Sequence, residues 1–121
     1  MTIKIEIRGI EETKEKLKDI AVEKLQKTED AIKQVGFHIQ SEVQASIAGQ
    51  RAEPESVDTG RFLNSVKTTF PEKYSASVET NVEYAKFLEY GTSKMAPRHH
   101  FANTVMREED KVKNYIRDAI K

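Results

Sequence analysis

The side chains in this sequence with the most chemical potential are its histidines and paired carboxylates. His99 and His100 are adjacent, in a polar stretch that also holds Lys94, Pro97 and Arg98. Two imidazoles there could serve a metal ion or general acid–base catalysis. Adjacent side chains on an extended segment point apart, however, and rarely meet on one ion, so surface loop histidines are expected. His38 falls inside a long helical pattern, as a packing or polar-face residue. Glu83 and Glu89 flank an aromatic segment, as in two-carboxylate glycosidases, but the chain has no tryptophan to stack on a sugar. The five glycines, at 9, 36, 49, 60 and 91, each stand alone, so no glycine-rich loop cradles phosphate. There is no HExxH and no nucleophile elbow. The absence of cysteine excludes disulfides, thiol catalysis and cysteine-ligated zinc. The sequence thus points to no catalytic residue, no cofactor and no metal. A small hydrolase using His99, His100 and a nearby glutamate is the enzyme reading these residues would allow, without a recognisable catalytic constellation to support it.

The aromatic residues Phe62, Tyr84, Phe87 and Tyr90 could stack nucleic-acid bases. Glu83 and Glu89 beside them would repel phosphate, so core packing, with a tyrosine at a subunit contact, is expected instead. Twenty basic and twenty acidic residues cancel, and both signs are spread evenly along the chain. No basic face is implied. A small nucleic-acid-binding module is therefore the alternative reading, distinguished by salt-dependent binding to DNA or RNA. Apolar runs are only a few residues long, so no membrane span is expected. The alternating start has no apolar region of a signal peptide. A cytosolic protein or a component of an assembled particle is the simplest class.

The elements that would position these residues follow from periodicity. At 121 residues and 13.8 kDa the chain fits a single domain, 1–121. With 37% hydrophobic residues its core should be thin and open to supplementation by oligomer contacts. Ile3, Ile5 and Ile7 alternate with Lys4, Glu6 and Arg8 as in a half-buried strand, which Gly9 ends. From about residue 11 to 48, Leu17, Ile20, Ala21, Leu25, Ile32, Val35, Ile39, Val43 and Ile47 recur at three- and four-residue steps. This predicts a long amphipathic helix, with Thr28–Asp30 and Gly36 as candidate breaks. Unbroken, it would reach roughly 55 Å. It is expected either to kink over its own sheet or to lay one end on a neighbouring subunit.

Residues 49–57 read as a mobile polar loop that could order on assembly. Asp58 or Thr59 can cap a short helix carrying Phe62 and Leu63. Residues 66–70 and 74–80 form a hairpin around Pro71, Glu72 and Lys73. Residues 84–90 form a helical turn or two that Tyr84, Phe87 and Leu88 pin to the sheet, with Gly91 as a left-handed stop. The last helix, from Phe101, carries an apolar stripe of Phe101, Val105, Val112, Tyr115, Ile116 and Ala119. The order predicts an α+β fold: a small antiparallel sheet packed against a long N-terminal helix and a C-terminal helix.

Two segments carry more specific information. One reads Val57-Asp58-Thr59-Gly60-Arg61-Phe62-Leu63-Asn64-Ser65-Val66. The other reads Val82-Glu83-Tyr84-Ala85-Lys86-Phe87-Leu88-Glu89-Tyr90-Gly91-Thr92-Ser93-Lys94-Met95-Ala96-Pro97-Arg98. Together, after a long helix, they resemble the HK97 gp10-like family of tailed-phage tail-component, tail-completion or head–tail joining proteins. The family pattern commonly continues with a Pro-Phe pair and a further proline; here the chain reads Arg98-His99-His100-Phe101-Ala102-Asn103.

The resemblance implies a structural virion-assembly protein of a phage or prophage, made in the host cytoplasm and placed at the neck or tail of the virion. It implies a ring, expected as a hexamer, joined to head–tail connector proteins and the tail tube protein, with DNA passing through unbound. Asp58, Thr59, Gly60, Arg61, Ser65, Tyr84, Ala85, Glu89, Gly91, Thr92 and Arg98 are the candidate motif or interface residues. Among these, Gly60 should allow a tight approach into its helix. Arg61 should reach a carboxylate or a neighbouring chain. Glu89 and Arg98 should form an ion pair that fixes the loop between them, at no more than about 1 kcal/mol if exposed.

Overall fold

The computed structural model describes residues 3–8, 22–57 and 60–120. Its elements are β1 (Ile3–Arg8), α1 (Val22–Ile47), α2 (Arg61–Ser65), β2 (Lys67–Thr69), β3 (Ser75–Thr80), α3 (Ala85–Tyr90) and α4 (His100–Ile120). The fold is α+β, as expected. The predicted helical residues 11–21 and the strand stop at Gly9 lie outside the described residues.

The sheet has the order β1-β3-β2 and is antiparallel throughout. β3 is central, pairing Ile3↔Thr80 and Ile5↔Val78 on one side and Thr68↔Val78 on the other. Ile3 is buried, and Ile5 and Ile7 pack against the core, while Lys4 and Glu6 are exposed. The hairpin is shorter than its sequence suggests: β2 spans three residues, and Tyr74 turns into β3 with φ 59°.

α1 runs through both candidate breaks without interruption. Gly36 lies where the helix sits closest to the sheet. A Cβ there would stand 2.8 Å from Thr68 Cγ2 and 3.0 Å from the Ala76 Cβ. The Thr68 hydroxyl tightens the same contact, 3.2 Å from the Gly36 carbonyl and 2.7 Å from Gln40 Oε1. The helix stops at a Schellman motif: the Gly49 N–H reaches the Ser46 carbonyl at 3.1 Å, and the Gln50 N–H reaches that of Ala45 at 2.9 Å.

Val35, Ile39, Val43 and Ile47 of α1 form a core with Ile3, Phe62, Val66, Val78, Val82, Ala85 and Phe101. α4 packs chiefly along α1. Its inward line differs from the apolar stripe read in the sequence. Phe101, Thr104 and Glu108 are buried and Val112 and Ile116 half-buried, whereas Val105 and Tyr115 are exposed. Two polar residues can occupy the buried line because both are satisfied there: Thr104 donates back to the His100 carbonyl within α4, and Glu108 meets His38 of α1.

Candidate functional site

The first motif enters α2 through Gly60, which occupies the N-cap position with φ 82° and makes no side-chain cap. Asp58 and Thr59, the expected caps, lie outside the described residues. Phe62 is buried and Arg61 exposed. Ser65 joins this short helix to the sheet. Its hydroxyl donates to the Phe62 carbonyl at 2.7 Å and lies 2.6 Å from Thr80 Oγ1. Because the Ser65 proton is used, the Thr80 hydroxyl donates to Ser65, and the Val82 N–H donates to Thr80 at 3.3 Å. This relay fixes the start of the second motif relative to the first. The two also meet through their rings, with the Arg61 guanidinium 5.9 Å from the centre of the Tyr84 ring and Phe62 edge-on to Tyr84 at 6.1 Å.

α3 packs differently from its sequence pattern. It buries Ala85 and Glu89, so the aromatic residues expected to pin it face outward. Tyr84, Phe87 and Tyr90 are 36%, 46% and 60% exposed; of the expected aromatic cluster only Phe62 is core. The reason lies in Glu89. Its carboxylate accepts the N–H of Phe101 at 2.8 Å and of Ala102 at 3.0 Å, the first turn of α4. A helix N-terminus carries unpaired N–H donors and a partial positive charge, and this buried anion satisfies both.

The expected Glu89–Arg98 ion pair is therefore absent. Arg98 turns the other way, donating to the Glu55 carbonyl at 2.6 Å and to Ser56 Oγ at 2.8 Å. Gly91, at the end of α3, has φ 76° and ψ 176°. This is not the left-handed helical stop expected but an extended mirror-image conformation open essentially to glycine. Thr92 then pairs with Met95 across a tight loop.

The polar loop 49–57 is held rather than loose. Arg98 grips residues 55 and 56, the Ser56 N–H donates to the Ile47 carbonyl at 2.7 Å, and Glu53 is buried. Glu53 accepts from Ser46 at 2.5 Å, Arg107 at 2.8 Å and Asn103 at 3.2 Å. Burial alone would raise its pKa, but hydrogen bonds from Arg107, Ser46 and Asn103 hold it below the ordinary carboxylate value.

His100 sits at the centre of this network with no exposed surface. Its Nδ1 is 2.7 Å from Ser46 Oγ and its Nε2 2.7 Å from Ser56 Oγ. Ser46 already gives its proton to Glu53, so Nδ1 carries hydrogen and donates to Ser46. Nε2 then accepts from Ser56. The tautomer is assigned by this network. Burial pushes the imidazole down to about 4, against a partial counterpull from Glu53. His99 precedes it with φ 51° and a half-exposed side chain, so the two histidines do point apart. A serine hydrogen-bonded to a histidine has the contact of a nucleophile and its base. Here, however, the ring is sealed in the interior and its serine is also held by Arg98, so the arrangement fastens loop to helix rather than presenting a nucleophile.

Two further polar groupings escaped the sequence reading. His38 and Glu42 on α1 meet Glu108 on α4, with His38 Nε2 3.1 Å from Glu108 Oε2. Arg51 forks onto Glu42 at 2.9 and 3.0 Å, and that hydrogen-bonded pairing lowers the Glu42 pKa. The one-turn spacing of His38 and Glu42 was the available signal for this group. On the opposite face of the sheet a shallow groove is lined by Lys4, Glu6, Thr69, Ser77 and Glu79 among others. The buried Ser77 hydroxyl there has no hydrogen-bond partner among the described residues.

Among the described residues, no helix is long and apolar enough to cross a membrane. No curated protein and no solved structure matches the chain. A family model described as "Bacteriophage HK97-gp10, putative tail-component" matches residues 8–91. That span holds the whole first motif, the second through Gly91, and every element from α1 to α3. With well over half its length inside the match, the chain belongs to the HK97-gp10-like family of bacteriophage tail components.

Proposed function

We propose that this protein is a structural component of a tailed-phage or prophage virion that acts in head–tail joining or tail completion. Copies of the chain form a ring at the neck, expected to be hexameric. The ring docks on head–tail connector proteins at one side and the tail tube protein at the other. Its work is shaped contact, and no reaction is required of it.

The observation that carries this reading is the motif covered by the family match. Within it, Tyr84, Phe87 and Tyr90 project outward from a helix whose inward residues are fixed by Ala85 packing and the Glu89 cap. Exposed aromatic side chains on a rigid support suit protein–protein anchoring, where tyrosine and tryptophan are enriched. The balanced charge of the chain suits a channel component, since DNA passes through without an attractive basic lining.

Deletion of the gene tests the reading. Filled heads and separate tails in the lysate are expected, with infectivity restored by the gene in trans. Normal infectious particles from the deletion strain would overturn it.

A further inference from the structure

α1 and α4 bring together a set of side chains that the assembly reading does not use. His38 and Glu42 are one helical turn apart and share a face of α1, and Glu108 reaches them from α4. One donor atom from each lies within 4.8 Å of the others. The His38–Glu108 distance is already 3.1 Å. Donors around a four-coordinate zinc ion stand about 3.3 Å apart, as bonds near 2.0–2.2 Å require. Small side-chain rotations would close the set on one ion.

Glu108 supplies a second argument. It is 5% exposed, and its ion-pair partner among the described residues is the imidazole of His38, whose side chain is 49% exposed. Arg51 attracts Glu108 through space but commits its guanidinium fork to Glu42. The buried Glu108 carboxylate thus makes no direct ion pair with a permanently charged group among the described residues, which is costly. A divalent cation in reach of both Glu108 and Glu42 removes that cost. Calcium and magnesium favour all-oxygen sites, whereas an imidazole with two carboxylates suits zinc and its first-row neighbours.

We propose that His38, Glu42 and Glu108 bind a divalent transition-metal ion of the zinc class, clamping α1 to α4. One imidazole and two carboxylates leave at least one coordination position to water. Arg51, an exposed loop residue, competes with the ion for Glu42 and sets the affinity. This inference is independent of the proposed role at the neck.

The test is a calorimetric titration of zinc chloride into untagged, chelator-stripped protein, with the visible absorption of added cobalt(II) as a second readout. One ion per chain is expected. His38→Gln and Glu108→Gln should each weaken binding by about 10-fold or more, and Arg51→Gln should tighten it several-fold. Zinc should raise the Tm of the parent chain and, at the same concentration, raise that of His38→Gln much less. His38 is half-exposed, so this variant keeps the fold, which circular dichroism verifies. Absence of binding would overturn the site. So would zinc binding with the same stoichiometry and affinity in His38→Gln, which marks an adventitious ion only, or magnesium binding as tight as zinc. An Arg51→Gln variant that binds no more tightly would overturn the competition.

Discussion

The carboxylate of Glu89, a residue of α3, accepts the backbone N–H of Phe101 at 2.8 Å and so caps α4 from outside that helix. A charge-assisted bond of this kind contributes about 1.5–3 kcal/mol. Its loss also strands buried donors.

Replacing Glu89 should therefore act on the whole fold. Glu89→Ala is expected to lower stability by about 2–3 kcal/mol and Glu89→Gln by about 1–2 kcal/mol. For a chain of this size that is a fall in Tm of roughly 10 °C and 5 °C. Thermal melts followed by circular dichroism measure both. A Gln variant as stable as the parent would show that shape, not charge, closes the helix.

His100 makes stability depend on pH. Its folded pKa of about 4 lies below the ordinary value of 6.5. Below pH 6.5 the unfolded chain takes up a proton that the folded chain refuses, so stability falls as pH drops from about 6.5 to about 4. The full passage corresponds to about 3 kcal/mol. Glu53, also held below its usual value, adds a loss in the same direction as its own carboxyl protonates at lower pH. Urea unfolding between pH 7 and 4 should show the decline, and His100→Gln should flatten it above pH 4.5. An equal slope in that variant would place the titrating group elsewhere.

Gly91→Ala should be severe. The new Cβ would meet the Pro97 nitrogen at 2.7 Å and the Met95 carbonyl oxygen at 2.8 Å, both backbone atoms, on a residue with φ 76°. Strain of this sort costs about 1–3 kcal/mol before any clash is counted. Soluble expression and Tm should both drop, and the amide resonances of residues 92–98 should shift. A variant with parental stability would mean the loop can relax around the methyl group.

Surface changes on α3 should separate folding from assembly. Phe87→Ser and Tyr90→Ser alter exposed side chains and should move stability by no more than about 0.5 kcal/mol. If these rings anchor a neighbour, complementation of a deletion phage by either variant should fall sharply. Full complementation by the double variant would remove α3 from the docking surface.

Much of the framework was legible in the sequence because periodicity reports burial directly. The alternation of Ile3, Ile5 and Ile7, and the steps from Val35 to Ile47, each predicted an element that the structure contains. Glu89 and Arg98 were legible as charges near Gly91 but not as partners of other groups. A helix N-terminus and a backbone carbonyl leave no mark in side-chain composition, and they took the two charges away from each other. The same rule hid the exposure of Tyr84, Phe87 and Tyr90. Apolar side chains are assigned inward by default, and only the buried Glu89 reverses the faces of α3. The sequence suggests a surface histidine at position 100 because the serine partners that bury it, Ser46 and Ser56, are distant along the chain.

The register that sets Ile3 opposite Thr80 also fixes an order of events during synthesis. β1 is synthesised well before β3, its only strand partner among the described elements. Until then Ile3, Ile5 and Ile7 have no ladder to join, and the apolar stripe of α1 has no sheet to cover it. Such long-range closure slows folding and prolongs the life of sticky intermediates. A nascent chain stalled before residue 75 would be a natural client for a chaperone.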